Sequence, residues 1–446
     1  MATRIVIVGG GFGGTAVAAR LERLFAHDRD VEIILFDREN FSVFTPLLPE
    51  VPSGALEAKH IVSPLRARLR RTSVRQAEVR AIDVERRRVV AGHCPMCAEY
   101  VVDYDYLVIA LGSVTNFFGL PGVAERARTM KSLADGANLH HAVIGKFEHA
   151  DLDPDAQARR RLLTFVVAGG GFAGVETAAE LNDFVRAAGR YYRGIASDDV
   201  RVVLVHPGER ILPEVSPALS AYALGKLRSR GVDVRLRTRI TGCDAEHVRL
   251  STGEAIDGET LIWTAGVSPH PLLGTLDLPR DAGGRVAVDA TLAVPDRPGV
   301  FALGDCAAVR DPATGAAYPP TAQYAIREGR VVAENVAASI RGRAARPFRY
   351  RPLGMLASLG RHSAVAEILG FRFSGFFAWW LWRTIYLMKL PGFERKIRVV
   401  FDWTLDLFFP RDIVYLRGLQ HIEGAAAVSD EPGHRASRID AALTRV

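Results

Sequence analysis

The sequence predicts an α/β fold made of two Rossmann-like dinucleotide-binding domains followed by an amphipathic helical region of a different character. Three observations predict it. A strand, a glycine turn and a helix open the chain, as Val6-Ile7-Val8-Gly9-Gly10-Gly11-Phe12-Gly13-Gly14 and an amphipathic run to Leu24. The pattern returns 160 residues later as Thr164-Phe165-Val166-Val167-Ala168-Gly169-Gly170-Gly171-Phe172-Ala173-Gly174. Four of the five tryptophans then crowd between Phe371 and Phe409.

Gly9, Gly11 and Gly14 have the GxGxxG spacing, in which the first glycine allows the turn, the second lets a pyrophosphate approach the backbone, and the third lets helix and strand pack closely. The helix that starts at Phe12 and Gly13 points unpaired N–H groups and a partial positive charge at the phosphates. A second apolar strand, Val31 to Phe36, ends at Asp37, where an acid accepts hydrogen bonds from an adenosine ribose. Arg38 to Val51, punctuated by Pro46 and Pro49, reads as a loop over the cofactor. It lacks the cysteine pair of flavin-dependent disulfide reductases.

Residues 79–105 alternate in short pieces and predict an antiparallel meander, whereas Tyr106-Leu107-Val108-Ile109-Ala110 is a continuous apolar run expected of a buried parallel strand. That run ends in Leu111-Gly112-Ser113, where the backbone can pass close to a ligand. In the second copy, Gly169, Gly171 and Gly174 precede the helical pattern from Val175 to Leu181, and a strand follows over Arg201 to Val205. Two such turns, each between strand and helix, point to two dinucleotide sites in one chain, and hydride transfer between cofactors is the chemistry that needs both. Another buried strand runs from Thr260 into Gly266, and a third, from Val300, ends in Gly304-Asp305. The Asp305 carboxylate there can hold a sugar hydroxyl or cap the next helix. A helix is expected over 319–340, and the basic, proline-interrupted stretch 342–352 is a boundary. The expected division is residues 1–120 with 296–345 as the first domain, 121–295 as the second, 346–423 as the C-terminal region and 424–446 as a disordered tail.

In the C-terminal region the run 376–390 is broken by Arg383 and Lys389, and a bilayer-spanning helix needs about 20 apolar residues, so no span is expected. Arg398, Asp402 and Asp406 follow each other at i+4 and predict one polar stripe, leaving Val399, Val400, Trp403, Leu407 and Phe408 to other faces. Tryptophans and basic residues beside an apolar face suit helices lying in a membrane interface. The alternative is that these helices close over the protein's own core or a dimer contact.

The 446 residues, 48% hydrophobic and 24% charged, describe a globular chain of two or three domains. A net charge of +7 suggests an anionic partner or simply a solvated basic surface. The charge is spread rather than blocked, so nucleic-acid binding is not expected. Four cysteines make no disulfide scaffold and suit a reducing cytoplasmic setting, and the first strand leaves no room for a secretory signal. Cys94-Pro95-Met96-Cys97 lacks the second pair a zinc ribbon needs, so a hairpin with free thiols, a local disulfide and a metal site shared between subunits all stay open. No metal ligands are assigned.

Taken in order, further stretches show a resemblance. They are Phe44-Thr45-Pro46-Leu47-Leu48, Ala110-Leu111-Gly112-Ser113, Gly174-Val175-Glu176 with Glu180-Leu181, Trp263-Thr264-Ala265-Gly266-Val267, Gly304-Asp305-Cys306-Ala307, Ala322-Gln323, and Ala378-Trp379 with Leu390-Pro391-Gly392-Phe393 and Trp403. With both glycine turns and Asp37-Arg38, the chain from about residue 3 to 420 resembles the type II NADH:quinone oxidoreductases, single-subunit flavoproteins with two dinucleotide-binding domains.

The resemblance implies FAD in the first site, held by Gly9, Gly11, Phe12, Gly13, Gly14, Asp37, Arg38, Thr45, Pro46, Ala110, Gly112, Ser113, Gly304 and Asp305. It implies NADH, with NADPH also open, in the second site on Gly169, Gly171, Phe172, Ala173, Gly174, His206 and Gly266. Glu176 is placed by it near nicotinamide and flavin, and Gln323 beside the flavin at the quinone end, as the two residues closest to catalysis. Implied too are a membrane quinone and an anionic lipid surface as partners, a peripheral position on the cytoplasmic face, and electron transfer without proton pumping in a respiratory chain; a homodimer stays open. Two positions depart from the family: His206 stands where an acid commonly grips the ribose, and Arg327 where a second glutamine is common. Competing readings are a same-fold reductase of a soluble acceptor and a low-turnover membrane-bound redox sensor.

Overall fold

The computed structural model describes residues 2–93 and 98–416. Cys94 to Cys97 and the tail expected over 424–446 lie outside the described residues. Each glycine turn follows the central strand of its own five-stranded parallel sheet. In the first sheet the order is Val300–Ala302, Tyr106–Ile109, Thr3–Val8, Val31–Asp37, Ser73–Gln76. In the second it is Arg128–Thr129, Thr260–Trp263, Thr164–Ala168, Arg201–Val205, Val232–Arg235. The orders match strand for strand, as a repeated βαβ unit requires, and the apolar runs are buried on both sides. Each sheet carries a three-stranded antiparallel partner: Glu78–Asp83, Arg88–Gly92 and Tyr100–Asp103 in the first domain, and Ile240–Cys243, His247–Leu250 and Ala255–Asp257 in the second.

The helix Phe12–Leu24 lies against the helix Ala322–Ile340 where two glycines bring the backbones close. A Cβ on Gly329 would meet the carbonyl oxygen of Gly13 at 2.6 Å. The same core takes in Leu272, Leu276, Val286 and Val294, which the expected division gave to the second domain, and runs on to Phe348, so the chain rejoins the first domain's core from about residue 272 rather than 296.

Two expectations need correction. The stretch after Arg38 is not an irregular loop: Phe41–Val43 pairs with Val62–Pro64, and Thr45–Glu50 forms a 3₁₀ turn whose Leu47, Leu48 and Glu50 are buried. The C-terminal region is also not all helical. It begins with an antiparallel sheet, Gly354–Ser358, Ala364–Ile368 and Phe371–Ser374, before the helices Gly375–Lys389 and Phe393–Phe408. A third core joins the Thr45–Glu50 turn to this region through Leu47, Trp379, Trp382, Leu390, Val399 and Trp403.

The polar stripe is turned inward at Asp402 and Asp406. Asp402 pairs with His60 at 2.6 Å and Asp406 with Arg411 at 2.8 Å, while Arg398 stays outside on Glu394. The opposite face presents Phe393, Ile397, Phe401, Leu405 and Phe408 to the outside, a stripe at three- and four-residue spacing. Phe376, Phe377, Trp380 and Met388 of the preceding helix are exposed as well. Among the described residues no helix is long and apolar enough to cross a membrane.

Candidate active site

The two turns share one geometry. Gly9 and Gly169 have φ of +104° and +107°, a left-handed region that strains any side chain. A Cβ on Gly14 would strike the carbonyl oxygen of Gly9, and one on Gly174 that of Gly169. A Cβ on Gly11 or Gly171 would meet nothing within 4 Å. Those middle glycines therefore keep a concave cradle open over a helix N-terminus, which is what a pyrophosphate needs.

The first cradle opens into a cavity of about 1390 Å³. Gly9, Gly11, Phe12, Gly13, Asp37, Arg38, Thr45, Ala110, Gly112, Ser113, Gly304 and Asp305 all line it; Gly14, Pro46 and Gln323 do not. Gly14 is spent on packing. At one end Asp37 accepts from the Gly10 N–H at 2.5 Å and from the Glu39 N–H at 2.7 Å, and burial raises its pKa. At the other end Lys131 Nζ donates to Ser113 Oγ at 2.8 Å, and that hydroxyl donates to Asp305 Oδ2 at 2.7 Å. An acid for a ribose, an open cradle for phosphates and a polar triad further along fit an elongated flavin dinucleotide. Asp305 caps no helix; a short strand follows its turn. Lys131 escaped the sequence reading, although it lies two residues beyond the strand Arg128–Thr129, at the sheet end where ligands bind.

The nucleotide-side residues lie outside this cavity. His206 ends its strand as Asp37 does and plays the same part, its Nδ1 accepting from the Gly170 N–H at 3.1 Å. Burial lowers its pKa. An accepting Nδ1 leaves Nε2–H as the donor. Arg210, a candidate phosphate partner, spends its guanidinium on the carbonyls of Val215 at 3.0 Å and Pro213 at 2.7 Å. Gly266 turns at φ +89° against the ring of Phe118. Phe172 packs on the second core and Ala173 is exposed.

Glu176 departs from expectation. It does not line the cavity but is buried, its Oε1 accepting from the Ser358 amide at 2.8 Å and from the Trp382 indole at 3.2 Å. Burial pushes its pKa up to about 8. Two further buried acids stand nearby, Glu180 of the same motif and Glu50, which the sequence did not single out. Burial and the charge of Glu180 push Glu50 up to about 7, and Glu50 accepts from the Trp403 indole at 2.6 Å. Glu180, also raised by burial, meets Arg411 at 3.3 Å. This layer of acids joins the second cradle's helix to the C-terminal helices. Gln323 is half-buried at the start of its helix, between the cavity-lining Ala322 and Ala325.

The pyridine nucleotide-disulphide oxidoreductase family matches residues 3–329, and the NDH2 C-terminal domain matches residues 353–412. A type II NADH:quinone oxidoreductase, Ndh, of Mycobacterium tuberculosis is 33% identical over 426 residues, covering 92% of this chain and 89% of that one. A probable NADH dehydrogenase of Dictyostelium discoideum is 33% identical over 417 residues, 92% of this chain and 90% of that one. The solved NDH2 of Plasmodium falciparum in complex with NADH is 19% identical and has the same fold, with a TM-score of 0.86 over 93% of this chain and 100% of that one. Two matched cradles, the cavity of the first and a C-terminal helix with an outward apolar stripe thus come together in a chain that belongs to the type II NADH:quinone oxidoreductase family.

Proposed function

We propose that this chain oxidises NADH through a bound FAD and reduces a membrane quinone, lying as a peripheral protein on the membrane face that NADH reaches. The pair of matched glycine cradles carries the reading, since a single chain needs two only to bring two dinucleotides together. The names of its relatives support NADH as donor and quinone as acceptor. FAD, when bound, supplies the two-electron acceptance from NADH and the release to quinone.

The chain's own residues bind and orient. Gly9, Gly11 and Gly13 would cradle the pyrophosphate, Asp37 and Arg38 would take the adenosine end, and Thr45, Ala110, Gly112, Ser113, Gly304 and Asp305 would hold the rest with Lys131. Gly169, Gly171, Phe172, Ala173, Gly174, His206 and Gly266 hold the nucleotide. No side-chain nucleophile is required, because hydride transfer depends on proximity and alignment. Glu176 keeps a proton at neutral pH beneath the second cradle, and Gln323 faces the quinone end. The outward apolar stripe, with Arg395, Lys396 and Arg398 on the same helix, rests on anionic lipid.

Gly11→Val tests the first site. A Cβ there meets no protein atom within 4 Å and stands in the open cradle, so the variant is expected to keep its circular dichroism, lose its yellow FAD absorbance and stop oxidising NADH with ubiquinone-1. Stoichiometric FAD in a folded Gly11→Val protein would contradict the assignment.

A further inference from the structure

Tyr350, beyond the end of the Ala322–Ile340 helix, folds back over its first turns. Its hydroxyl lies 3.1 Å from Gln323 Oε1. The Arg327 guanidinium sits 4.1 Å from the Tyr350 ring centroid, and Arg327 Nη1 donates to the main-chain carbonyl of Gln323 at 2.9 Å. Tyr324 packs edge-on against the same ring at 5.1 Å. Tyr350 is thus held by a cation on its face and an aromatic at its edge, with its hydroxyl on one end of the Gln323 amide.

A glutamine amide has an acceptor end and a donor end, and its function depends on which end is committed inside the protein. Tyr350 donates, Gln323 Oε1 accepts, and the Gln323 NH₂ remains to donate elsewhere. A quinone headgroup has two carbonyl oxygens and nothing to donate, and negative charge grows on those oxygens as it is reduced. A fixed amide donor matches that ligand, whereas a flipped amide would set oxygen against oxygen.

We propose that Tyr350, braced by Arg327, is a positioning residue that locks the Gln323 amide with its NH₂ toward the quinone headgroup. This rests on the reading of Gln323 as facing the quinone, and it gives Arg327 a part in the quinone site through Tyr350.

The test uses FAD-loaded protein under anaerobic conditions. NADH bleaching of the flavin is recorded first, then its reoxidation by ubiquinone-1, with ubiquinone-1 affinity measured separately by quenching of tryptophan fluorescence. Tyr350→Phe keeps the ring and removes the hydroxyl. Relative to bleaching, its reoxidation is expected to slow about 10-fold, the worth of one hydrogen bond to a growing charge, with ubiquinone-1 affinity weakened in step. Arg327→Leu, which removes the cation and leaves the hydroxyl, is expected to give a smaller loss in the same direction. In the double variant with Gln323→Leu, Tyr350→Phe is expected to add nothing, because both act through one amide. A Tyr350→Phe protein equal to wild type in reoxidation and affinity, or losses that add in the double variant, would overturn the positioning role alone. A wild type whose bleached flavin ignores ubiquinone-1 would overturn the quinone reading and this proposal with it.

Discussion

Asp37 and His206 end matching strands and accept the N–H of the central glycine in their turns, at 2.5 Å and 3.1 Å. One is an acid and the other an imidazole that burial favours in its neutral form. An acid at the second position would bind the ribose 2′-OH of NADH and repel the 2′-phosphate of NADPH; a neutral imidazole does neither strongly. Discrimination between the two nucleotides is expected to be weak, and Arg210, bound to its own loop, adds nothing to it. His206→Glu should shift the ratio of kcat/KM for NADH over NADPH toward NADH by about 10-fold, or about 1.4 kcal/mol. Steady-state kinetics of both proteins check this. A strict NADH preference already in the wild type, or a ratio unmoved by the substitution, would show that His206 does not read the ribose. The strand ends were legible from hydrophobic runs and glycine spacing. The partner of each side chain was not, since the reach of Arg210 back to its own loop is a tertiary fact.

At the scale of elements, the helix Phe393–Phe408 shows what periodicity can and cannot say. The i+4 spacing of Arg398, Asp402 and Asp406 identifies residues on one side but not the direction that side faces. Partners decide it: His60 and Arg411 hold two of the acids against the body beside the buried Val399 and Trp403, so the stripe of Phe393, Ile397, Phe401, Leu405 and Phe408 is left outside. The sheet of residues 354–374 was not legible because its strands are only four or five residues long and no glycine turn and helix follow any but the last. Cutting the chain after Arg346 would therefore strip Trp382, Val399 and Trp403 from the third core and test folding rather than membrane contact. The cleaner variant puts Asp at Phe393, Phe401 and Phe408, whose side chains contribute to the exposed stripe. It should keep its FAD and thermal transition while losing sedimentation with anionic vesicles at low salt, each buried aromatic being worth about 1.5–3 kcal/mol. Retained vesicle binding by the triple variant, or none by the wild type, would assign the stripe to another contact.

Across the whole molecule, the acids Glu50, Glu176 and Glu180 are buried where the two domains and the C-terminal region meet. They were invisible as a group in the sequence because they are far apart along it and only the packed chain brings them together. Glu176 and Glu50 hold protons up to about pH 8 and about pH 7, against an ordinary value of 4.5. Between those limits the folded chain binds more protons than the unfolded one, so stability falls as pH rises through neutrality. The melting temperature is expected to drop between about pH 5 and about pH 8 and level off above that, and Glu176→Gln, which cannot ionise, should flatten part of that drop. Scanning calorimetry across the range decides it: parallel pH profiles for the two proteins would mean that Glu176 does not carry the effect. The paired folds, by contrast, were legible because their signals are local, each strand, turn and helix being contiguous.

A single-turnover experiment on vesicles joins these scales. Protein bound to anionic vesicles that carry a long-chain quinone is mixed with a limiting amount of NADH in the absence of oxygen, and nucleotide, flavin and quinol are followed together. One quinol should form for each NADH consumed, through a transient loss of flavin absorbance, with no quinol from the Gly11→Val protein. NADH consumption that bleaches the flavin and yields no quinol, or quinol formation undiminished in a Gly11→Val protein shown to lack flavin, would contradict the transfer of electrons from NADH through flavin to a membrane quinone.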